Sequence, residues 1–239
     1  MKLFVSLMVS ALVFGCASSS GDESRDTVDL TMDVIGFAPG MGDVALEGVE
    51  VCVRDTTNCE TSDEDGFVTL TLPANSEVTL TVIQEGYTPT LSPQLTGNED
   101  VDGLRTALLD EQTSRLLAGV LGTPYPLTGG VIAISALEPP LRRDDNGIAG
   151  IELTSGERTP YYLDEASFPT FDIDATTEPD GAGGFVELPN GVYEIAVGGS
   201  AANCEIASAW PGSTADSIRV PAAIGFFTQA FLACDAVEP

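Results

Sequence analysis

The chain has 239 residues, of which 37 are acidic, nine are basic and none is histidine, for a formal net charge of −28. So acidic a chain repels nucleic acid, whose phosphates are gripped by clustered lysine and arginine. Without histidine, the usual general base for a serine or cysteine nucleophile and the usual nitrogen ligand for a metal are both missing.

The N-terminus reads as an export signal. Lys2 gives a short positive start, and Leu3 to Phe14 is an apolar run of signal-peptide length. It is shorter than the roughly 20 apolar residues that span a bilayer as a helix. Val13-Phe14-Gly15-Cys16 resembles the lipobox of bacterial lipoproteins. The resemblance implies cleavage after residue 15 and attachment of acyl chains, palmitate among them, to Cys16. Ala17 follows the cysteine where an aspartate retains some lipoproteins at the inner membrane, so the outer membrane is the expected destination. Lys2 is the only lysine. The mature chain therefore keeps no lysine for anionic headgroups, and its acyl chains are left to hold it to the membrane.

Five cysteines become four once Cys16 carries lipid. An exported chain can oxidise them, and three pairings are possible. The local one, Cys52 with Cys59 and Cys204 with Cys234, is favoured because each bridge then lies within one domain. Loop-closure entropy assigns about 2.5 kcal/mol to the short ring and about 3.7 kcal/mol to the long one. Zinc is disfavoured, since no CxxC pair accompanies these cysteines.

Residues 16–28 are small, polar and charged and read as a flexible, lipidated tether. The β pattern starts near Asp29. Val49, Val51 and Val53 alternate with Glu50 and Cys52, then Val68, Leu70 and Leu72 with Thr69 and Thr71. After a turn at Pro73-Ala74-Asn75, Val78, Leu80 and Val82 alternate with Thr79 and Thr81. Gly48-Val49, Asp65-Gly66-Phe67, Pro73 and Gly86-Tyr87 fall where the carboxypeptidase-regulatory-like (transthyretin-like) family places them. Residues 29–97 resemble that family. The resemblance implies an Ig-like β-sandwich that is non-catalytic and serves as a folding, spacing or binding module.

Residues 98–127 read as a connector. Leu104, Leu108, Leu109, Leu116 and Leu117 fall at near-helical spacing, and Gly119 and Gly122 close the run, which predicts a short helix. Residues 128–239 repeat the first half's grammar. GGFVELPNGVYEIAV echoes GFVTLTLPANSEVTLTV, and Gly150-Ile151 echoes Gly48-Val49. An insertion carries Tyr161-Tyr162-Leu163 and an alternating Phe171, Ile173, Ala175, while Phe226, Phe227 and Phe231 are expected in the core. The predicted fold is all-β: two tandem sandwiches, the second larger, joined by a short helical connector.

Chemistry is scarce. No glycine-rich phosphate loop follows a strand, so nucleotide chemistry is not expected. Two carboxylates could cleave a glycosidic bond, but nothing in the sequence singles out a pair. Asp63 and Asp65, and Asp144 and Asp145, lie on turns that could offer oxygens to calcium, although Asp-Gly and Asn-Gly are also ordinary turn chemistry. Trp210, Tyr161, Tyr162 and Tyr125 are the candidates for exposed rings that stack on sugar, although Trp210 is expected rather to cap the sandwich core. The function expected is a non-catalytic, lipid-anchored envelope protein acting as a binding, adhesion or spacer module. Its partner would be an envelope protein or polysaccharide. The alternatives are a calcium-dependent adhesin or carbohydrate-binding protein, and a carboxylate-dependent glycan-active enzyme.

Overall fold

A computed structural model describes residues 25–38, 41–138, 146–178, 180–200, 204–206, 212–214 and 216–235. The chain is nearly all β, with one helix among the described residues. In the N-terminal half the strands are β1 (Thr27–Ala38), β2 (Met41–Ala45), β3 (Glu50–Val53), β4 (Cys59–Thr61), β5 (Phe67–Pro73), β6 (Glu77–Ile83), β7 (Thr90–Leu95) and β8 (Val101–Leu109). Helix α1 (Glu111–Val120) follows. The C-terminal half contains β9 (Gly130–Leu137), β10 (Ile151–Thr154), β11 (Tyr161–Leu163), β12 (Pro169–Thr170), β13 (Ala182–Leu188), β14 (Gly191–Gly199), β15 (Cys204–Ile206), β16 (Ser217–Ala222) and β17 (Phe227–Cys234).

In the N-terminal half, β1 pairs antiparallel with β5 and then β2, and parallel with β8. A second layer runs β4-β3-β6-β7. The alternation read in the sequence decides which side chains meet between the layers. Val68, Leu70 and Leu72 of β5 and Val78, Leu80 and Val82 of β6 turn inward onto Leu30, Met32 and Val34 of β1. Each such side chain removed from water stabilises the fold by about 1.5–3 kcal/mol before entropy is counted.

The C-terminal half repeats this wiring. β9 pairs antiparallel with β13 and parallel with β17, as β1 does with β5 and β8. The facing layer runs β10-β14-β16, as the first half has β3-β6-β7. Its own core gathers Ile132, Ile134, Ile151, Phe185, Ile195, Val220 and Leu232. The likeness extends to single hydrogen bonds. Val34 N–H donates to Gly66 O and Leu46 N–H to Val34 O; Ala136 N–H donates to Gly181 O and Ile148 N–H to Ala136 O. Gly66 and Gly181 both have positive φ, and a Cβ would sit 2.7 Å from Val34 O on one and 2.3 Å from Ala136 O on the other. The same crowded corner thus demands glycine in both halves.

One sheet spans the two halves. β17 pairs parallel with β7 through Phe227 and Thr228 opposite Thr90 and Leu91, giving the order β12-β11-β13-β9-β17-β7-β6-β3-β4. The sequence carries no sign of this junction.

Three expectations need correction. Leu104, Leu108 and Leu109 belong to β8, not to the helix, which covers only 111–120. Leu108 packs into the first core and Ala107 and Leu109 are buried too. A strand buried on both sides shows no clean alternation, and its leucines mimic helical spacing. Residues 171–175 form no strand, and Phe171 is exposed. Of the three phenylalanines expected in the core, Phe231 is buried but Phe226 and Phe227 are only partly so, and the second core takes Ala230, Leu232 and Cys234 from β17.

Candidate functional site

A cleft of about 420 Å³ lies between the halves, roofed by α1. It forms because β9 and β17 have two apolar faces. Ile132, Ile134 and Leu232 face the second core, while Val131, Ala133, Phe227 and Phe231 on the opposite face line the cleft. The outer face of the first sheet supplies Ile35, Phe37, Ala107 and Leu109, and α1 supplies Leu117, Ala118 and Leu121. Tyr161, Leu163, Phe168 and Pro169 close the far side.

Local sequence holds the roof in place. Asp110 caps α1: its Oδ1 accepts from Thr113 N–H and its Oδ2 from the Thr113 hydroxyl, both at 2.8 Å. Glu111 N–H donates to Gly86 O, and the Thr88 and Ser114 hydroxyls bond each other beneath the helix. One stripe of α1 faces water with apolar groups, Leu116 at 50% and Val120 at 48% exposure. Phe168 lies at the rim, 45% exposed. Its loop is tied by Asp164 Oδ1, which accepts from the N–H of Ala166 and of Phe168.

Several of the polar groups in the lining are engaged in holding the protein together. Arg105 Nη1 lies 2.7 Å from Asp43 Oδ2, and its Nε lies 3.9 Å from Asp33 Oδ2. Gln229 of β17 clasps β8: its Nε2 donates to Ala107 O at 2.6 Å and its Oε1 accepts from Ala107 N–H at 3.2 Å. The amide side chain thereby imitates a neighbouring strand.

The predicted site residues do not come together. Tyr161 and Tyr162 are 4% and 1% exposed, so the expectation of exposed rings fails for both. Tyr161 lies in the cleft wall. Tyr162 packs into the second core, where its hydroxyl accepts from Leu153 N–H at 2.8 Å. Burial raises its pKa above the ordinary tyrosine value, against the opposing pull of that N–H. Asp63 and Asp65 are exposed. Asp63 Oδ1 accepts from the N–H of Asp65 and of Phe67, so this oxygen organises its own turn. The turn at Asp164–Phe168 repeats the arrangement. No group of three or more potential metal ligands occurs among the described residues. Tyr125 is half-buried with Arg115 stacked over its ring. Cys16, Trp210, Asp144 and Asp145 lie outside the described residues, as do the signal segment and residues 16–24 of the tether.

Both disulfides form as expected, Cys52–Cys59 and Cys204–Cys234, each between directly opposed residues of paired strands. Among the described residues no helix is long and apolar enough to cross a membrane.

No protein-family profile matches the chain, and no characterised protein matches its sequence. Among solved structures, similarity is found to the shaft pilin SpaA of Lactobacillus rhamnosus GG, at 11% identity over 89% of this chain and 100% of that one, with a TM-score of 0.26. The minor pilin GBS52 of Streptococcus agalactiae gives 11% identity over 89% and 99%, with a TM-score of 0.22. The Bacillus anthracis TIE protein gives 14% identity over 87% of this chain and 34% of that one, with a TM-score of 0.26. Superpositions this loose transfer no function.

Proposed function

We propose that the chain is a non-catalytic binding module of the cell envelope, exported and anchored through acyl chains on Cys16. It is built from two copies of one transthyretin-like sandwich joined by α1. The observation that carries the binding reading is the cleft between the copies: an apolar cavity of ligand size, with Arg105 and Gln229 in its wall already engaged in structural bonds. Catalysis by proton transfer needs a group poised to give or take a proton at the site. The chain offers no histidine, and in the cleft Arg105 and Asp43 are tied to each other. The recurrence of the β5-β1-β8 wiring in β13-β9-β17 supports the two-copy reading. The lipobox-like Val13–Cys16 supports the anchor, and the acidic composition fits a partner other than nucleic acid.

The test is purification of the native protein from its own membranes, with mass analysis of the N-terminal peptide and identification of whatever accompanies it. The expected results are an acylated Cys16 and a stoichiometric partner, protein or polysaccharide. An unmodified N-terminus beginning beyond residue 16 would remove the anchor. Crosslinking needs carboxyl-directed reagents, since the chain beyond residue 2 holds no lysine.

A further inference from the structure

We propose that the cleft under α1 binds the hydrocarbon chain of a single-chain amphiphile whose headgroup carries no negative charge. The inference rests on reading the cleft as a binding site and assigns its ligand class. The volume, about 420 Å³, falls in the range of small-molecule sites. The walls suit a slender chain. Ala107, Ala118, Ala133 and Ala182 leave room between Phe227 and Phe231 on one side and Leu117 on the other. Such a surface offers hydrophobic burial with little directional polarity, which an alkyl chain matches methylene by methylene.

Charge decides the headgroup. The ionisable carboxylates in the lining are Asp43 and Asp180, against one cation, Arg105. Arg105 already lies between Asp43 and Asp33, so it offers no unneutralised charge to a carboxylate or phosphate. The chain's net charge of −28 adds a long-range field that repels anions. The entrance is apolar, with Leu116 and Phe168 half-exposed at its rim, as suits a ligand that enters tail first.

The experiment uses the chain from residue 16 onward with Cys16→Ser, so that no lipid of its own competes. An uncharged fluorescent probe, phenylnaphthylamine, is bound and then displaced by dodecanol or dodecanoate at low salt, with stoichiometry from calorimetry. One site per chain is expected, with dodecanoate displacing the probe roughly tenfold more weakly than dodecanol, or worse. Ala133→Trp should fill the cavity and weaken probe binding by roughly tenfold or more. Leu116→Gln, at a half-exposed position that tolerates polarity, should weaken it without disturbing the circular dichroism. It thus keeps the test valid if the tryptophan variant fails to fold. Equal or tighter binding of dodecanoate would overturn the assignment, as would unaltered binding in Leu116→Gln and a folded Ala133→Trp. Failure of both ligands to displace the probe, with a stoichiometric partner still recovered from membranes, would overturn the hydrocarbon assignment alone and leave the binding module standing.

Discussion

Tyr162 carries a buried hydroxyl into the second core, where it satisfies Leu153 N–H. Tyr162→Phe keeps the ring and leaves that N–H without its acceptor, so it should cost about 1–3 kcal/mol in urea unfolding. Its ionisation gives a second signature. Because the folded pKa lies above the unfolded value, the neutral phenol contributes stability that is complete below about pH 10. That contribution is lost as pH rises through the folded value. Melting curves taken from pH 9 to 11 should therefore fall more steeply for the parent than for Tyr162→Phe. The cysteine pairing was legible because the local bridges each stay within one half of the chain. The role of the tyrosines was not. Adjacent aromatics in an insertion read as exposed, whereas Tyr161 and Tyr162 enter two different buried places: the cleft wall and the core.

At the scale of elements, strands with one wet face announced themselves through alternating threonine and valine. β8 did not, because one of its faces packs on the first core and the other on the cleft. The cleft itself was hidden for a related reason. Its walls come from β1, β8, α1, β9 and β17, and the residues that line it read as ordinary core until two halves distant in sequence are brought together. Gln229 is the clearest instance, a polar side chain in a closing strand whose meaning is set by Ala107, 122 residues away. Gln229→Ala should strand the Ala107 N–H and C=O, at a cost of about 1–3 kcal/mol for each group left buried without a partner. Hydrogen exchange at Ala107 and along β7 should quicken, while exchange in β10 and β14 should not change.

For the whole molecule, the duplicated grammar of the sequence anticipated the repeated wiring of the sheets, but not the seam where β7 and β17 merge them. The charge has a consequence at this scale as well. Few cations offset the 37 acidic side chains, and the ion pairs among described residues involve Arg25, Arg54, Arg105 and Arg115. Self-repulsion should therefore destabilise the folded state at low ionic strength. Raising sodium chloride from about 10 mM to about 1 M shortens the Debye length from about 30 to about 3 Å. The melting temperature should rise over that interval. A flat or falling response would mean that repulsion is already spent in the unfolded chain.

In each half the first and last long strands, β1 with β8 and β9 with β17, lie side by side and run the same way. Tension applied between the N-terminus and the C-terminus would pull each such pair from opposite ends. Tension then acts along the strands, and the seven registered positions of β9 and β17 resist together instead of parting one after another. The pairing that closes each half would thus resist such tension in shear, with the seam at β7 coupling the two halves.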